Sequence, residues 1–183
     1  MSRSWERLLE EVARERYARL LARAALLVPT RSDAEDLVQD ALVATFTGRA
    51  RFTTAAEAEQ YVRRAIVTRS VDRARTAAAE RRALERRGAW PVAEDELAPT
   101  GLDHDVVAAL QTLSARQRAC VVLRHVDDLS VEQTASALGL SAGAVKRYTS
   151  DGAARLQAAL GTRVDDEDTV PVELMSTPEV RRD

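Results

Sequence analysis

The 183-residue chain contains a single cysteine, Cys120, which excludes an internal disulfide and a cysteine-rich zinc site. Long apolar runs are missing too: the longest uncharged apolar stretch near the N-terminus is 24–28, whereas a membrane-spanning helix needs about 20 such residues. Arginines at positions 3, 7, 14, 16, 19 and 23 interrupt the region where a signal peptide needs its apolar segment. We therefore expect a soluble, cytoplasmic protein without membrane insertion.

Signatures of catalysis are also missing. The seven glycines are scattered along the chain, so no glycine-rich loop is available to hold a phosphate. Cys120 and His125 lie five residues apart on one predicted helix, which places their side chains on different faces, and no carboxylate is spaced to orient the histidine as a base. The sequence predicts no enzymatic activity, no metal site and no cofactor.

Charge is nearly balanced, since 26 arginines and one lysine face 29 acidic residues. This excludes a protein that is basic throughout, but not one with a basic face. The five prolines leave two proline-free windows, 30–90 and 100–170, which are rich in good helix formers and lack alternating β-branched runs. The sequence predicts an all-α fold of two small helical domains joined by a flexible linker, the second containing a helix-turn-helix.

Apolar periodicity predicts helices at 5–28, 32–48, 54–87, 103–112, 115–126, 131–138 and 142–160. Four starts carry the Ser/Thr-x-x-Glu/Gln pattern of a capping box, namely Ser32–Glu35, Thr54–Glu57, Ser114–Gln117 and Ser130–Gln133. The same periodicity places Phe46 on the apolar face of its helix, and it places Tyr61 half in the core.

These helices group into domains. We predict a first domain at 1–87, a linker at 88–102 with glycines and prolines around an acidic run, and a second domain at 103–161. The acidic tail, 162–183, is expected to be disordered. It has two interpretations: a solubilising end, or an intramolecular decoy that covers a basic helix of the second domain.

The segment 130–148 carries the pattern of a helix-turn-helix. Ala135 is small where the two helices cross, Gly139 suits a turn that needs positive φ, and Val145 anchors the second helix. In such units the second helix enters the major groove of DNA. The outward residues that would face DNA are Ser141, Ala142, Gly143, Lys146, Arg147 and Ser150. The alternative is an ordinary helical hairpin with solvated basic residues.

Three further motifs follow one another along the chain. They are Asp33-Ala-Glu-Asp-Leu-Val-Gln-Asp-Ala-Leu, then Tyr61-Val-Arg-Arg-Ala-Ile-Val-Thr-Arg-Ser-Val-Asp-Arg-Ala-Arg, and Leu113-Ser-Ala-Arg-Gln-Arg continuing through the helix-turn-helix. Together they resemble a bacterial RNA polymerase sigma factor of the extracytoplasmic-function (ECF) group, over about residues 8–160. The resemblance implies that the first binds the clamp helices of the largest subunit of core polymerase. It implies that the second reads the −10 promoter element and the third the −35 element.

Site residues follow from this resemblance and from helical phase. The polymerase-binding residues would be Asp36, Gln39, Asp40 and Val43, and the −10 residues would be Phe52, Arg63, Arg64 and Arg69. Phe52 is a candidate for stacking on an extruded base, with simple packing as the alternative. The many arginines between 63 and 87 would neutralise phosphates and make binding salt-dependent. For the polymerase-binding residues, the alternative is a solvated acidic face. For the arginines, the alternative is a solvated, salt-bridged helix end.

The chain departs from the family pattern at two places. Thr68 stands where the family usually has asparagine, and Asp151-Gly152 replaces a basic residue followed by alanine. We expect Asp151 to form an ion pair with Arg155, one helical turn later.

The resulting hypothesis is a sigma factor that directs core RNA polymerase to promoters and helps to open the start-site DNA, with an anti-sigma protein as a possible partner. The main alternative is a stand-alone helix-turn-helix regulator that does not bind polymerase, which predicts a dimer and a palindromic site. A third class is a sigma-like interaction protein that sequesters partners. Charge reversal at Asp40 separates the first two hypotheses.

Overall fold

A computed structural model describes residues 4–48, 50–85 and 104–161, and these ranges consist of helices and short turns. The helices are α1 (Ser4–Glu15), α2 (Tyr17–Ala25), α3 (Arg31–Thr47), α4 (Ala55–Glu85), α5 (His104–Gln111), α6 (Ala115–Val121), α7 (Val131–Leu138) and α8 (Ala142–Gly161), and a π-helical turn (Val122–Val126) continues α6. The all-α prediction is confirmed. The predicted linker and tail lie outside the described residues. None of the helices in the described ranges is long and apolar enough to cross a membrane.

Local capping interactions fix the helix starts. Both predicted boxes of the second domain form with reciprocal hydrogen bonds, Ser114 with Gln117 and Ser130 with Gln133. The predicted box at Ser32 is wrong, because Thr30 is the extended capping residue and accepts a hydrogen bond from Asp33 N at 3.0 Å. At the start of α4 the box is half formed: Thr54 caps Glu57 N at 3.2 Å, whereas the carboxylate of Glu57 accepts from Thr53 N.

The first predicted helix, 5–28, is interrupted at Arg16. The backbone of this residue leaves the helical region at φ −118° and ψ 8°. Its guanidinium donates to Glu59 Oε2 at 2.7 Å, and Glu59 is buried on α4. The interruption therefore coincides with a tertiary ion pair that apolar periodicity within 5–28 does not report.

The N-terminal half, residues 4–85 as described, packs α1, α2 and α3 around α4. Its fully buried side chains include Val12, Leu20, Leu37, Val38, Val62, Ile66 and Val67. The prediction for Phe46 is wrong here, since its side chain is 46% exposed, whereas Tyr61, predicted to be half in the core, is 42% exposed. Phe46 instead rests against Trp5, with ring centroids 5.8 Å apart.

The helix-turn-helix in the C-terminal half, residues 104–161, confirms the sequence prediction. Ala135 and Val145 are buried in one cluster with Cys120 beneath them. Gly139 takes the left-handed conformation at φ 62°, where a side chain would be strained. Ser141 caps α8 by accepting a hydrogen bond from Ala144 N at 3.2 Å.

The two halves are packed against each other, which the sequence did not predict. Their apolar residues form one cluster in which Leu123 and Val122 are fully buried together with residues of α2 and α4. Arg118 Nη1 donates to Leu27 O at 2.6 Å, and Gln111 Nε2 donates to Val28 O at 3.0 Å. Burial lowers the pKa of Arg118 to about 10. This interface between the halves also brings α7 beside α4.

Candidate nucleic-acid interface

The outward face of α8 is open to solvent. All six residues predicted to face DNA in the helix-turn-helix are exposed: Ser141, Ala142, Gly143, Lys146, Arg147 and Ser150. A Cβ atom added at Gly143 would meet nothing within 4 Å, so this first turn is free for close approach. The positive end of the helix dipole, Lys146 and Arg147 all favour an anion at this face. The arrangement suits docking against a DNA backbone and groove.

The Asp151-Gly152 departure has a structural explanation. A Cβ atom at Gly152 would come within 2.7 Å of Val121 Cγ2, because α8 packs closely on α6 at this point. The ion pair expected between Asp151 and Arg155 is not among those formed in the described ranges. Arg155 lies 3.5 Å from Gln117 Oε1 instead.

The predicted polymerase-binding face of α3 is exposed at each of its four positions, Asp36, Gln39, Asp40 and Val43. Val43 is 62% exposed, although its neighbours on the other side of α3 are fully buried. Phe46 lies one turn further along and extends this face with an aromatic ring that the sequence analysis had assigned to the core. Asp40 is not free, because Arg73 of α4 forms an ion pair with it.

The predicted −10 arginines of α4 are only partly accessible. Arg63, Arg64 and Arg69 are each half-buried. Arg63 forms an ion pair with Glu59, whose side chain is 6% exposed and which also holds Arg16. This partner of Arg63 was not predicted from the sequence, although the i, i+4 spacing of Glu59 and Arg63 is typical of such an ion pair.

A cleft of about 1010 Å³ separates α4 from α7. Its walls include Tyr61, Arg64, Thr68 and Arg69 of α4, with Gln133 and Ser136 of α7 opposite. The Thr68 hydroxyl donates to Arg64 O at 2.8 Å and lies 3.5 Å from Ala137 O of α7. The helix that resembles the −10 reader therefore faces the first helix of the helix-turn-helix.

Acidic residues counter the arginines of this cleft. Three arginines, Arg64, Arg69 and Arg73, share its lining with four acids, Asp40, Asp72, Glu80 and Glu132. These acids offset the charge of the three arginines at the cleft, and only Glu132 among them comes from the C-terminal half. The cleft therefore does not offer the strongly basic surface that favours DNA binding.

Phe52 is packed in the core, which agrees with the packing alternative that the sequence left open for this residue. The residue is 8% exposed, and its ring meets the edge of Tyr61 with centroids 5.3 Å apart. Tyr61 is the more exposed partner of the pair and lines the cleft. Helical phase could not predict the burial of Phe52, because this residue lies in a loop whose path periodicity does not describe.

The two residues considered for catalysis do not meet. Cys120 is fully buried, and burial raises the pKa of its thiol to about 11, whereas His125 is exposed. Within the described ranges, no group of three or more histidine, cysteine or acidic side chains could hold a metal ion.

Two families match the two halves of the chain. Sigma-70 region 2 matches residues 13–80, and sigma-70 region 4 matches residues 103–156. The first includes α3 and most of α4, and the second includes the helix-turn-helix.

The proteins of similar sequence or structure are sigma factors as well. An RNA polymerase sigma-E factor from Streptomyces coelicolor is 36% identical over 156 residues, which cover 84% of this chain and 86% of that protein. The ECF RNA polymerase sigma factor SigM from Mycobacterium tuberculosis is 34% identical over 153 residues, 83% of this chain and 76% of that protein. A solved structure of the sigma factor RpoE in complex with the anti-sigma factor NepR from Bartonella quintana aligns with a TM-score of 0.58 and 25% identity, covering 86% of this chain and 97% of that chain. The chain therefore belongs to the sigma-70 family of RNA polymerase sigma factors, in its ECF group.

Proposed function

We propose that this sigma factor works through three separate surfaces, one for core RNA polymerase and two for promoter DNA. Residues 1–87 form the domain that binds polymerase and the −10 element, and residues 103–161 form the domain that binds the −35 element. The chain carries out no chemistry itself, because core polymerase synthesises the RNA. It acts in the cytoplasm, where bacterial polymerase and promoters are found.

The exposed face of α3 carries this proposal. One side of α3 is fully buried, and the other side exposes a stripe of carboxylate, amide and apolar groups. The apolar side chains of this stripe are Val43, which is 62% exposed, and Phe46, which is 46% exposed. Exposed apolar residues beside polar ones are typical of a docking surface. The basic clamp helices of the polymerase are its partner, with Phe46 added to the four residues predicted from the sequence.

Promoter contact divides between α8 and α4. The exposed face of α8 enters the major groove of the −35 element, where Lys146 and Arg147 reach phosphates or guanine edges. The cleft face of α4, with Arg64, Arg69 and the exposed ring of Tyr61, contacts the −10 element. Since α7 lies across that face, the halves separate before both promoter elements are bound. An anti-sigma protein that holds the halves together would act on the same equilibrium.

Charge reversal on α3 tests the polymerase-binding surface. We expect Asp36→Arg and Asp40→Arg each to abolish co-elution of the full chain with sigma-free core polymerase, because each places a cation against a basic partner. Asp36→Arg is the cleaner variant, since Asp40 also pairs with Arg73. The matched control is Asp151→Arg on α8, which should leave co-elution unchanged. Circular dichroism melts verify folding.

The outcome separates the proposal from its alternatives. Wild-type co-elution by both folded α3 variants would contradict the assignment of this surface. Sequence-specific duplex binding without any association with core would instead support a stand-alone regulator. Association with core but no run-off transcript from fragmented genomic DNA would support a protein that only sequesters polymerase.

A further inference from the structure

A buried ion pair joins the two halves of the chain at the end of the π-helical turn. Arg23 of α2 donates from Nη2 to Asp127 Oδ1 at 2.5 Å and lies 3.5 Å from Val126 O. The two side chains are only 7% and 8% exposed. Within the described residues, the Arg23 guanidinium therefore bonds to the C-terminal half, although α2 belongs to the N-terminal half.

The helix that carries Arg63 and Arg64, α4, packs against the π-helical turn that precedes Asp127. Burial raises the pKa of Asp127, whereas the charge of Arg23 and, less strongly, those of Arg63 and Arg64 lower it. Burial outweighs these attractions, so the pKa of Asp127 is raised overall. We call Arg23, Arg63 and Arg64 the arginine cluster. Arg23 pairs with Asp127 from the C-terminal half, and Arg63 pairs with Glu59 from its own half.

The Asp127 carboxylate leaves some hydrogen-bond donors of this cluster without a partner. Arg23 Nη1, Arg64 Nε and Asp127 Oδ2 are buried atoms that have no hydrogen-bond partner within the described residues. Buried donors without partners cost about 1–3 kcal/mol each. A backbone phosphate, like a carboxylate, presents two charged oxygens, and it pairs well with the planar fork of a guanidinium.

The position of the cluster indicates which anion it serves. Arg64 belongs both to the cluster and to the wall of the cleft between α4 and α7, next to the Arg69 face assigned to promoter DNA. A backbone phosphate beside that face would lie within reach of the arginine cluster once Asp127 has left. The N-terminal half alone supplies four arginines here, with Arg16 as the fourth, against the single buried carboxylate of Glu59.

We infer that Arg23, Arg63 and Arg64 form a binding site for a backbone phosphate of promoter DNA, and that Asp127 occupies this site while the halves are packed together. The carboxylate substitutes for the phosphate and makes the packed arrangement and DNA binding by α4 mutually exclusive. This inference rests on the proposed function, because it assigns a ligand to the N-terminal half of a sigma factor. Asp127 thus competes with DNA for this site, and Arg23 is a residue that contacts DNA.

Removing the charge of Asp127 tests the site. The probe is a fluorescent single-stranded oligonucleotide of mixed sequence, titrated into the full chain by anisotropy at several salt concentrations. Asp127→Asn should bind it at least threefold more tightly than the wild type. The slope of log affinity against log salt should steepen by about 0.7 for each added phosphate contact.

The neighbouring residue provides a matched control. Asp128 is exposed and takes positive φ at 52°, which asparagine tolerates, so Asp128→Asn removes the same charge without touching the buried pair. It should leave the affinity within a factor of two of the wild type. An equal gain in both variants would overturn the inference, since net charge alone would then explain the result.

A double variant separates phosphate binding from simple opening of the halves. Adding Arg23→Gln to Asp127→Asn should remove the gain in affinity and the added salt dependence, with a thermal melt to confirm folding. If the gain survives in the folded double variant, Arg23 does not bind phosphate and the inference fails. A gain for inorganic phosphate but not for the oligonucleotide would also overturn the assignment to DNA.

These measurements use the chain without polymerase, so their failure is distinct from failure of the proposed function. Failure of the wild-type protein to co-elute with core polymerase would refute the proposed function and leave the oligonucleotide result standing. The reverse pattern, normal core binding with no effect of Asp127→Asn, would refute only the phosphate site.

Discussion

The two helices assigned to DNA, α4 and α8, present their arginines and lysine in different ways. On α8, Lys146 and Arg147 stand on an exposed face above a small core. On α4, Arg63 and Arg64 are half-buried, and Arg63 is held by Glu59. The α8 surface is therefore accessible to a ligand, whereas these arginines of α4 are partly covered by the rest of the chain.

The difference follows from how much of each helix is needed for packing. In the helix-turn-helix, α8 buries Val145 and Gly152 and keeps its first turn free. In contrast, α4 packs against α1, α2 and α3 and also against the C-terminal half. A run of arginines is thus not by itself a free DNA-binding surface, because acids from distant segments can pair with it.

Truncating a buried leucine of the apolar cluster shared by the two halves should give the largest effect. Leu123 and Leu37 are both fully buried, the first in the C-terminal half and the second on α3. We expect Leu123→Ala and Leu37→Ala each to lower the free energy of unfolding by about 2–5 kcal/mol. Because one apolar cluster spans both halves, calorimetry should show a single, shifted transition for both variants.

The control for this pair is Val43→Ala, which changes an exposed side chain and should shift stability by less than about 0.5 kcal/mol. Two separate transitions in Leu123→Ala, one of them at the wild-type temperature, would show that the halves unfold independently. The contrast between a covered α4 and an open α8 would then not hold in solution.

Alanine substitutions in the two DNA-facing helices should differ in the isolated chain. Lys146→Ala and Arg147→Ala should each weaken duplex binding, by about 1–3 kcal/mol where a base edge is contacted. Where the contact is to phosphate, each should reduce the salt slope by about 1. Arg69→Ala should have no effect on the isolated chain, because α7 lies across its face, and should reduce promoter opening by the holoenzyme.

Fluorescence anisotropy with a promoter duplex and an open-complex assay with core polymerase measure these two effects. If Arg69→Ala weakens binding by the isolated chain as much as Lys146→Ala does, then α4 is accessible without polymerase.

Alanine substitution at two glycines of α8 should change the stability of the protein in opposite directions. Gly152→Ala should destabilise the protein by about 1–3 kcal/mol, because the added Cβ lies 2.7 Å from Val121 Cγ2. Gly143→Ala should stabilise it by about 0.5–1 kcal/mol, because nothing lies within 4 Å and alanine is the better helix former. Chemical denaturation measures both changes. Equal effects of the two substitutions would contradict the close packing of α8 on α6.

The pH dependence contributed by Cys120 should be the smallest effect. Burial raises the pKa of this thiol from 9.0 to about 11. Above pH 9 the unfolded chain therefore loses the proton that the folded chain keeps, and stability falls as the pH rises. We expect a loss of about 1 kcal/mol between pH 8 and pH 10, measured by urea denaturation. Cys120→Ala should lack this part of the decrease, and an identical pH dependence in both proteins would argue against a buried thiol.

The sequence by itself determined the helix-turn-helix in detail. Ser130 caps α7, Gly139 makes the left-handed turn, and Val145 anchors α8, all as predicted. Each of these features depends on residues within a few positions of one another, through hydrogen bonds between a side chain and nearby backbone or through helical phase. The exposed face of α3 was predictable for the same reason.

Only the tertiary structure decided which of the predicted functional side chains are free. Arg63 is held by a carboxylate on its own helix, but Arg23 is held by Asp127, which lies 104 residues later in the chain. The burial of Phe52 depends on the path of a loop, and the interruption at Arg16 coincides with an ion pair to α4. Such pairings depend on how two halves, each amphipathic in its own right, meet. Periodicity within a helix reports which side is apolar, but not which partner covers it.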